Sequence, residues 1–130
     1  MEPLLAAWEQ VCDRFQALQA AHKHYLENTV HPDLAKLAFE RAQAFAELKN
    51  RLITVVQTLS RSGTLAQHSP ALCARLRVLQ DSDVALRARI DTYRRALETQ
   101  LARLRQRRTA LQGYRGAKAP SRPRFVNRSA

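Results

Sequence analysis

The chain has 130 residues with 45% hydrophobic content, enough for one domain with a core of its own. Ala and Leu supply much of that content, while aromatics, Gly and Pro are few, which favours long helices over strands. The net charge of +11 admits a polyanionic partner, but two cysteines are too few for a disulfide scaffold, and no apolar run approaches the roughly 18 residues of a membrane span.

The first helix is expected over about residues 3–28. Leu4, Trp8, Val11, Phe15, Leu18, His22 and Tyr25 alternate spacings of four and three, with Leu5, Cys12 and Leu26 widening the stripe. Such a seam needs a partner helix to cover it. A lone Trp at a seam position reads as core, with a partner anchor as the alternative. His31-Pro32 ends the helix, because the residue before a proline is pushed out of the α region.

A second helix is expected over about 32–60, with Pro32 and Asp33 in its first turn. Its seam reads Leu34, Ala38, Arg41, Phe45, Leu48, Leu52, Val55 and Leu59, flanked by Leu37, Ala44 and Val56. Gly63 is the natural stop. A polar connection from Ser62 to His68 follows.

The third helix is expected over about 70–112, opening at a Ser69 cap with Pro70 in the first turn. Its stripe is Leu72, Leu76, Leu79, Asp83, Leu86, Ile90, Tyr93, Leu97, Leu101, Leu104 and Leu111. At 1.5 Å per residue it would reach roughly 65 Å, against roughly 40–45 Å for each of the others. The fold class expected is all-α: an antiparallel three-helix coiled-coil bundle with a long third helix that outruns the other two. The overhang would be roughly 13 residues, its leucines without intramolecular cover. Residues 1–112 would form the helical domain and 113–130 a basic flexible tail, with Gly113, Gly116, Pro120 and Pro123 against order and Tyr114, Phe125 and Val126 as apolar points.

The positive charge is not spread evenly. Residues 1–93 hold eleven Lys/Arg and ten acids, whereas residues 94–130 hold eleven Lys/Arg and the single acid Glu98. A basic end attracts nucleic acid, an acidic groove or an acidic helix alike.

Residues for chemistry are sparse. The glycines form no phosphate loop, and His22, His24, His31 and His68 match no zinc spacing, so no metal or cofactor is expected. Cys12 and Cys73 lie beside apolar seams and read as small buried hydrophobes rather than nucleophiles. Asp83 and Arg41 either pair across the seam and fix register or sit at solvated edges. No catalytic residue is assigned, and the chain is read as a non-enzyme.

A helical body followed by Leu101-Ala102-Arg103-Leu104, Leu111-Gln112-Gly113-Tyr114-Arg115-Gly116 and Pro123-Arg124-Phe125-Val126-Asn127-Arg128 resembles the flagellar type III export chaperones of the FlgN/FliT kind. The resemblance covers the whole chain in architecture and about thirty residues in motif. It implies a cytoplasmic chaperone that binds the C-terminal helical segment of a hook–filament junction (hook-associated) or filament-cap protein. Such a chaperone prevents premature assembly and delivers its substrate to the export ATPase and gate. A cytoplasmic location also agrees with the acidic Met1-Glu2-Pro3 start, which lacks the basic and apolar regions of a signal peptide.

Partner contact is then expected at Tyr93, Leu97, Leu101, Leu104, Arg105, Arg108 and Leu111, with tail contacts from Tyr114, Arg124 and Phe125. Two alternatives stand beside this: a coiled-coil stalk that regulates the export ATPase, and a nucleic-acid-binding protein using the basic end. Against the latter, no aromatic follows Tyr93 before Arg108 to stack on bases. A second copy of the chain is the competing cover for the leucines.

Overall fold

The computed structural model describes residues 2–118, with side chains through Arg115. Three helices account for nearly all of them: α1 (Glu2–Asn28), α2 (Leu34–Ser62) and α3 (Leu65–Lys118). The fold is an all-α three-helix bundle, and residues up to Ile90 form one compact unit.

Helix direction follows from which residues meet. Arg14 pairs with Glu47 and His22 with Glu40, so α1 and α2 are antiparallel. Asp13 meets Arg75 and Glu27 meets Arg89, so α1 and α3 run the same way. Up-down-up is the arrangement that short connections enforce.

Local chemistry sets the helix ends. Asp33 caps α2, its Oδ1 accepting from the Lys36 N–H at 3.0 Å, so Pro32 and Asp33 precede the helix rather than form its first turn. The Tyr25 hydroxyl holds the Asp33 N–H at 2.9 Å and pins the turn to α1. Gly63 adopts φ 74°, the left-handed conformation expected of a helix stop, and Thr64 N–H closes back on the Leu59 carbonyl at 3.0 Å.

Both ends of α3 differ from expectation. It begins at Leu65, because the Thr64 carbonyl already accepts from the amides of Gln67 and His68. Ser69 is therefore not a cap, and Pro70 lies inside the helix, where it removes the amide that would bond to the Ala66 carbonyl. The connection shrinks to Gly63 and Thr64. At the other end α3 continues through Gly113 and Gly116 to Lys118, so residues 113–118 are helical where a tail was expected. A glycine costs about 1 kcal/mol in a helix relative to alanine, which weakens a helix without ending it.

The core assembles Trp8, Val11, Cys12 and Phe15 of α1, Leu48, Val55 and Leu59 of α2, and Leu72 and Leu79 of α3. Trp8 is a core residue, 2% exposed. Two expected seam positions are displaced. Phe45 and Ala38 are exposed, and α2 instead turns Leu37 and Ala44 inward, each one residue before the expected position. Cys73 is likewise exposed rather than buried, because it follows the core residue Leu72 by about 100° of helix rotation.

Polar groups tie the bundle together where the apolar stripe is interrupted. Gln19, buried on α1, donates from Nε2 to the Leu79 carbonyl of α3 at 2.9 Å. Of the two readings for Arg41 and Asp83, the pair is the one observed, about three-quarters buried at 2.5 Å, with Arg87 closing on the other Asp83 oxygen at 3.3 Å. Arg75 gathers α1 acids, reaching Asp13 at 2.5 Å, Glu9 at 3.3 Å and the Gln16 side-chain oxygen at 2.8 Å.

Candidate functional site

The last buried side chain of α3 is Leu86; beyond it Ile90 and Tyr93 are half-buried, and every described side chain from Arg94 to Arg115 is exposed. Residues 91–118 belong to a unit of their own. Within it Leu97, Leu101, Leu104 and Leu111 stand at 39–57% exposure, an unusual condition for leucines held at core spacing.

Spacing explains why they form a surface. At about 100° per residue, Tyr93, Leu97, Leu101, Leu104 and Leu111 fall within an arc of roughly 80° on one side of the helix. Arg105 borders the arc and Arg108 lies inside it. All seven residues expected to contact a partner therefore share one face of one helix, though Tyr93 is less exposed than the rest. Tyr114, expected in a tail, is instead on α3 and exposed. Arg124 and Phe125 lie outside the described residues.

Electrostatics distinguish this segment. Residues 91–118 carry eight Lys/Arg and two acids, and the ion pair Arg94–Asp91, at 4.0 Å, is at the limit of contact. Among the described residues, Arg103, Arg105, Arg107 and Arg108 make no ion pair, so their guanidinium groups face solvent with their donors available. The face is a helical apolar stripe bordered by cations.

Before Ile90 a second surface appears that the sequence reading did not anticipate. A trough of about 560 Å³ runs along Ala38, Ala42 and Phe45 of α2 and Leu76, Asp83 and Arg87 of α3. Its signal is the pair of alanines one turn apart on α2, Ala38 expected in the seam and Ala42 not singled out. The chemistry of its walls is apolar with one shared carboxylate, and nothing there suggests catalysis.

The histidines and cysteines hold ordinary structural positions. His22 is buried with Nε2 2.9 Å from Glu40 Oε1, while His24 is exposed and adjoins the Asn28 amide. Burial pushes the Cys12 thiol up to about 11, a rise that the Arg75 guanidinium opposes and the Glu9 and Asp13 carboxylates reinforce. A thiol held protonated in this way is a poor nucleophile.

Comparison with family models, characterised proteins and solved structures yields no match to this chain. Among the described residues, no helix is long and apolar enough to cross a membrane.

Proposed function

We propose that the chain is a cytoplasmic export chaperone of the FlgN/FliT kind. It binds the C-terminal helical segment of a flagellar hook–filament junction or filament-cap protein, keeps it from assembling early and hands it to the type III export apparatus. The observation that carries the reading is the leucine stripe of Leu97, Leu101, Leu104 and Leu111, exposed on a helix at the spacing by which helices cover one another.

A partner's amphipathic helix laid on that stripe buries these leucines at about 1.5–3 kcal/mol each when burial is complete. That gain, with the apolar surface the partner buries against it, has to offset the freedom lost on association. Arg105 and its neighbours steer an acidic helix and set its direction. The substrate class itself comes from the resemblance of the Gly-Tyr and Pro-Arg-Phe segments.

The test is co-purification with flagellar junction and cap proteins, using the full-length chain and a chain truncated after Leu97. Full-length protein should retain one of them and the truncated chain should lose it. Equal recovery by both would remove the site from this segment, and no recovery by either would remove the substrate class.

A further inference from the structure

The trough between α2 and α3 lies wholly within the unit that ends at Ile90, and it reaches down to the core. Its floor is made of Phe15, Leu48 and Leu79, each 7% exposed or less. Above them the α3 wall carries Leu76, and the α2 wall carries Ala38 and Ala42, whose short side chains leave the gap. Phe45, 57% exposed, stands at the end of the α2 wall, two turns from Ala38. A space of about 560 Å³ falls in the range of small-molecule sites, and an apolar lining with a few convergent polar groups is their usual composition.

Charge at the polar side of the trough is unbalanced. Arg41 and Arg87 share the Asp83 carboxylate, at 2.5 Å and 3.3 Å, so two guanidinium groups face one carboxylate and the cluster carries +1. The Arg41 Nε is buried and has no hydrogen-bond partner. Arg87 uses its Nε on Asp83, and its side chain is 68% exposed, which leaves its two terminal nitrogens for another acceptor. A second carboxylate beside Arg87 would bring the cluster to neutrality through charge-assisted hydrogen bonds. An amine would add to the excess.

We propose that the trough binds a small amphiphile, a monocarboxylate with a slim aliphatic body, of the fatty-acid class. The carboxylate pairs with Arg87 beside Asp83, and the body lies over Phe15, Leu48 and Leu79 with the Phe45 ring along its side. Width argues for such a body over a helix. The α3 wall runs roughly 16 Å from Leu76 to Arg87, so 560 Å³ gives a cross-section of about 35 Å², against roughly 80–110 Å² for a helix with its side chains. A slim chain reaches the floor and gains contacts there that a helix resting on the outer crests of α2 and α3 would not make. The site uses none of the leucines from Leu97 onward and does not depend on the chaperone reading.

The experiment is calorimetric titration of the full-length protein with decanoate below its micellar concentration, with thermal melts of the same mixtures. Decanoate should bind and raise the melting temperature, since a ligand held by the native state alone stabilises it. Decanol, with a matching body and no charge, should bind about tenfold more weakly, and butanoate, with little body, not measurably. Arg87→Gln should weaken decanoate by about tenfold and leave decanol unchanged. Ala42→Phe, which fills the trough from an exposed helix position, should abolish binding of both. Circular dichroism checks that the two variants are folded. The proposal is overturned by no heat with decanoate, by a lowered melting temperature, by decanol binding as tightly as decanoate, or by unchanged binding in Ala42→Phe. That last result would move the ligand to another apolar surface. A dimer that Ala42→Phe dissolves in sedimentation velocity, or an export substrate that it releases, would give the trough to a second copy or to a partner's helix and would also overturn it. No export substrate enters the titration, so its failure leaves the chaperone reading standing, and failure of the co-purification leaves this one standing.

Discussion

The Gln19 side chain of α1 donates a 2.9 Å hydrogen bond to the backbone carbonyl of Leu79 on α3, in a position only 6% exposed. A side chain thus crosses between helices to an oxygen that already serves the α3 ladder. The second end of the same amide, Oε1, is buried and has no partner. An orphaned buried acceptor costs free energy that a matched apolar group does not.

Gln19→Met, close in shape, should therefore leave stability unchanged or raise it by about 1 kcal/mol. Urea denaturation monitored by circular dichroism measures this. A loss above about 2 kcal/mol would show that the Gln19–Leu79 bond is worth more than its orphaned oxygen costs.

Two leucines of α3 should behave oppositely. Leu86 is 3% exposed and Leu104 is 57% exposed. Leu86→Ala should destabilise the fold by about 2–5 kcal/mol, while Leu104→Ala should stay within about 0.5 kcal/mol of the parent. Thermal melts of the two variants side by side decide it.

Arg41 and Asp83 are each about three-quarters buried as side chains and 2.5 Å apart. Asp83→Ala should cost about 1–3 kcal/mol, since it leaves the Arg41 guanidinium partly buried without its carboxylate. The Arg41→Met, Asp83→Ala double variant should recover most of that loss, and with Arg41→Met alone it closes a double-mutant cycle that reads the coupling directly. Additive losses would show that the pair sets no register.

Much of this architecture can be traced in the sequence, and the failures have physical causes. The period of α1 gives its core from Trp8 to Leu26 except for Gln19, whose polar side chain hides a buried position that apolar spacing cannot mark. On α2 the heptad reading took Phe45 for core, since size and apolarity look the same on either side of a stripe, yet Ala44 is the residue turned inward. Arg75 was passed over because its partners, Glu9 and Asp13, are more than sixty residues away and belong to another helix. Local propensity marks Pro70 and Gly113 as boundaries, which the Thr64 cap and the helix formers from Ala96 to Leu111 override. For the candidate site, the leucine spacing was evident in the sequence. Exposure was inferred only from a difference of helix lengths.

Cys12 and Cys73 offer a pH-dependent readout. Cys12 is buried with its thiol pushed up to about 11, and Cys73 is exposed. In the folded protein at neutral pH an alkylating reagent should modify Cys73 quickly and Cys12 only after denaturation, as peptide mass spectrometry will show. The native state holds the Cys12 proton to higher pH than the unfolded chain does. Its contribution to stability is therefore whole below about pH 9 and lost as pH rises toward about 11. The parent should lose about 2–3 kcal/mol more than Cys12→Ala across that window. Parallel pH curves for the two proteins would contradict this.

The core of the bundle ends at Leu86, and the leucine stripe from Leu97 to Leu111 draws on none of the same side chains. Substitutions in the stripe are therefore not filtered by the need to fold. Selection for a new binding specificity can act there at little risk of crossing the stability threshold, while the residues before Leu86 stay under packing constraint. In related chains, were they compared, the helix should show two rates of change along its length, slow where it is packed and fast where it recognises.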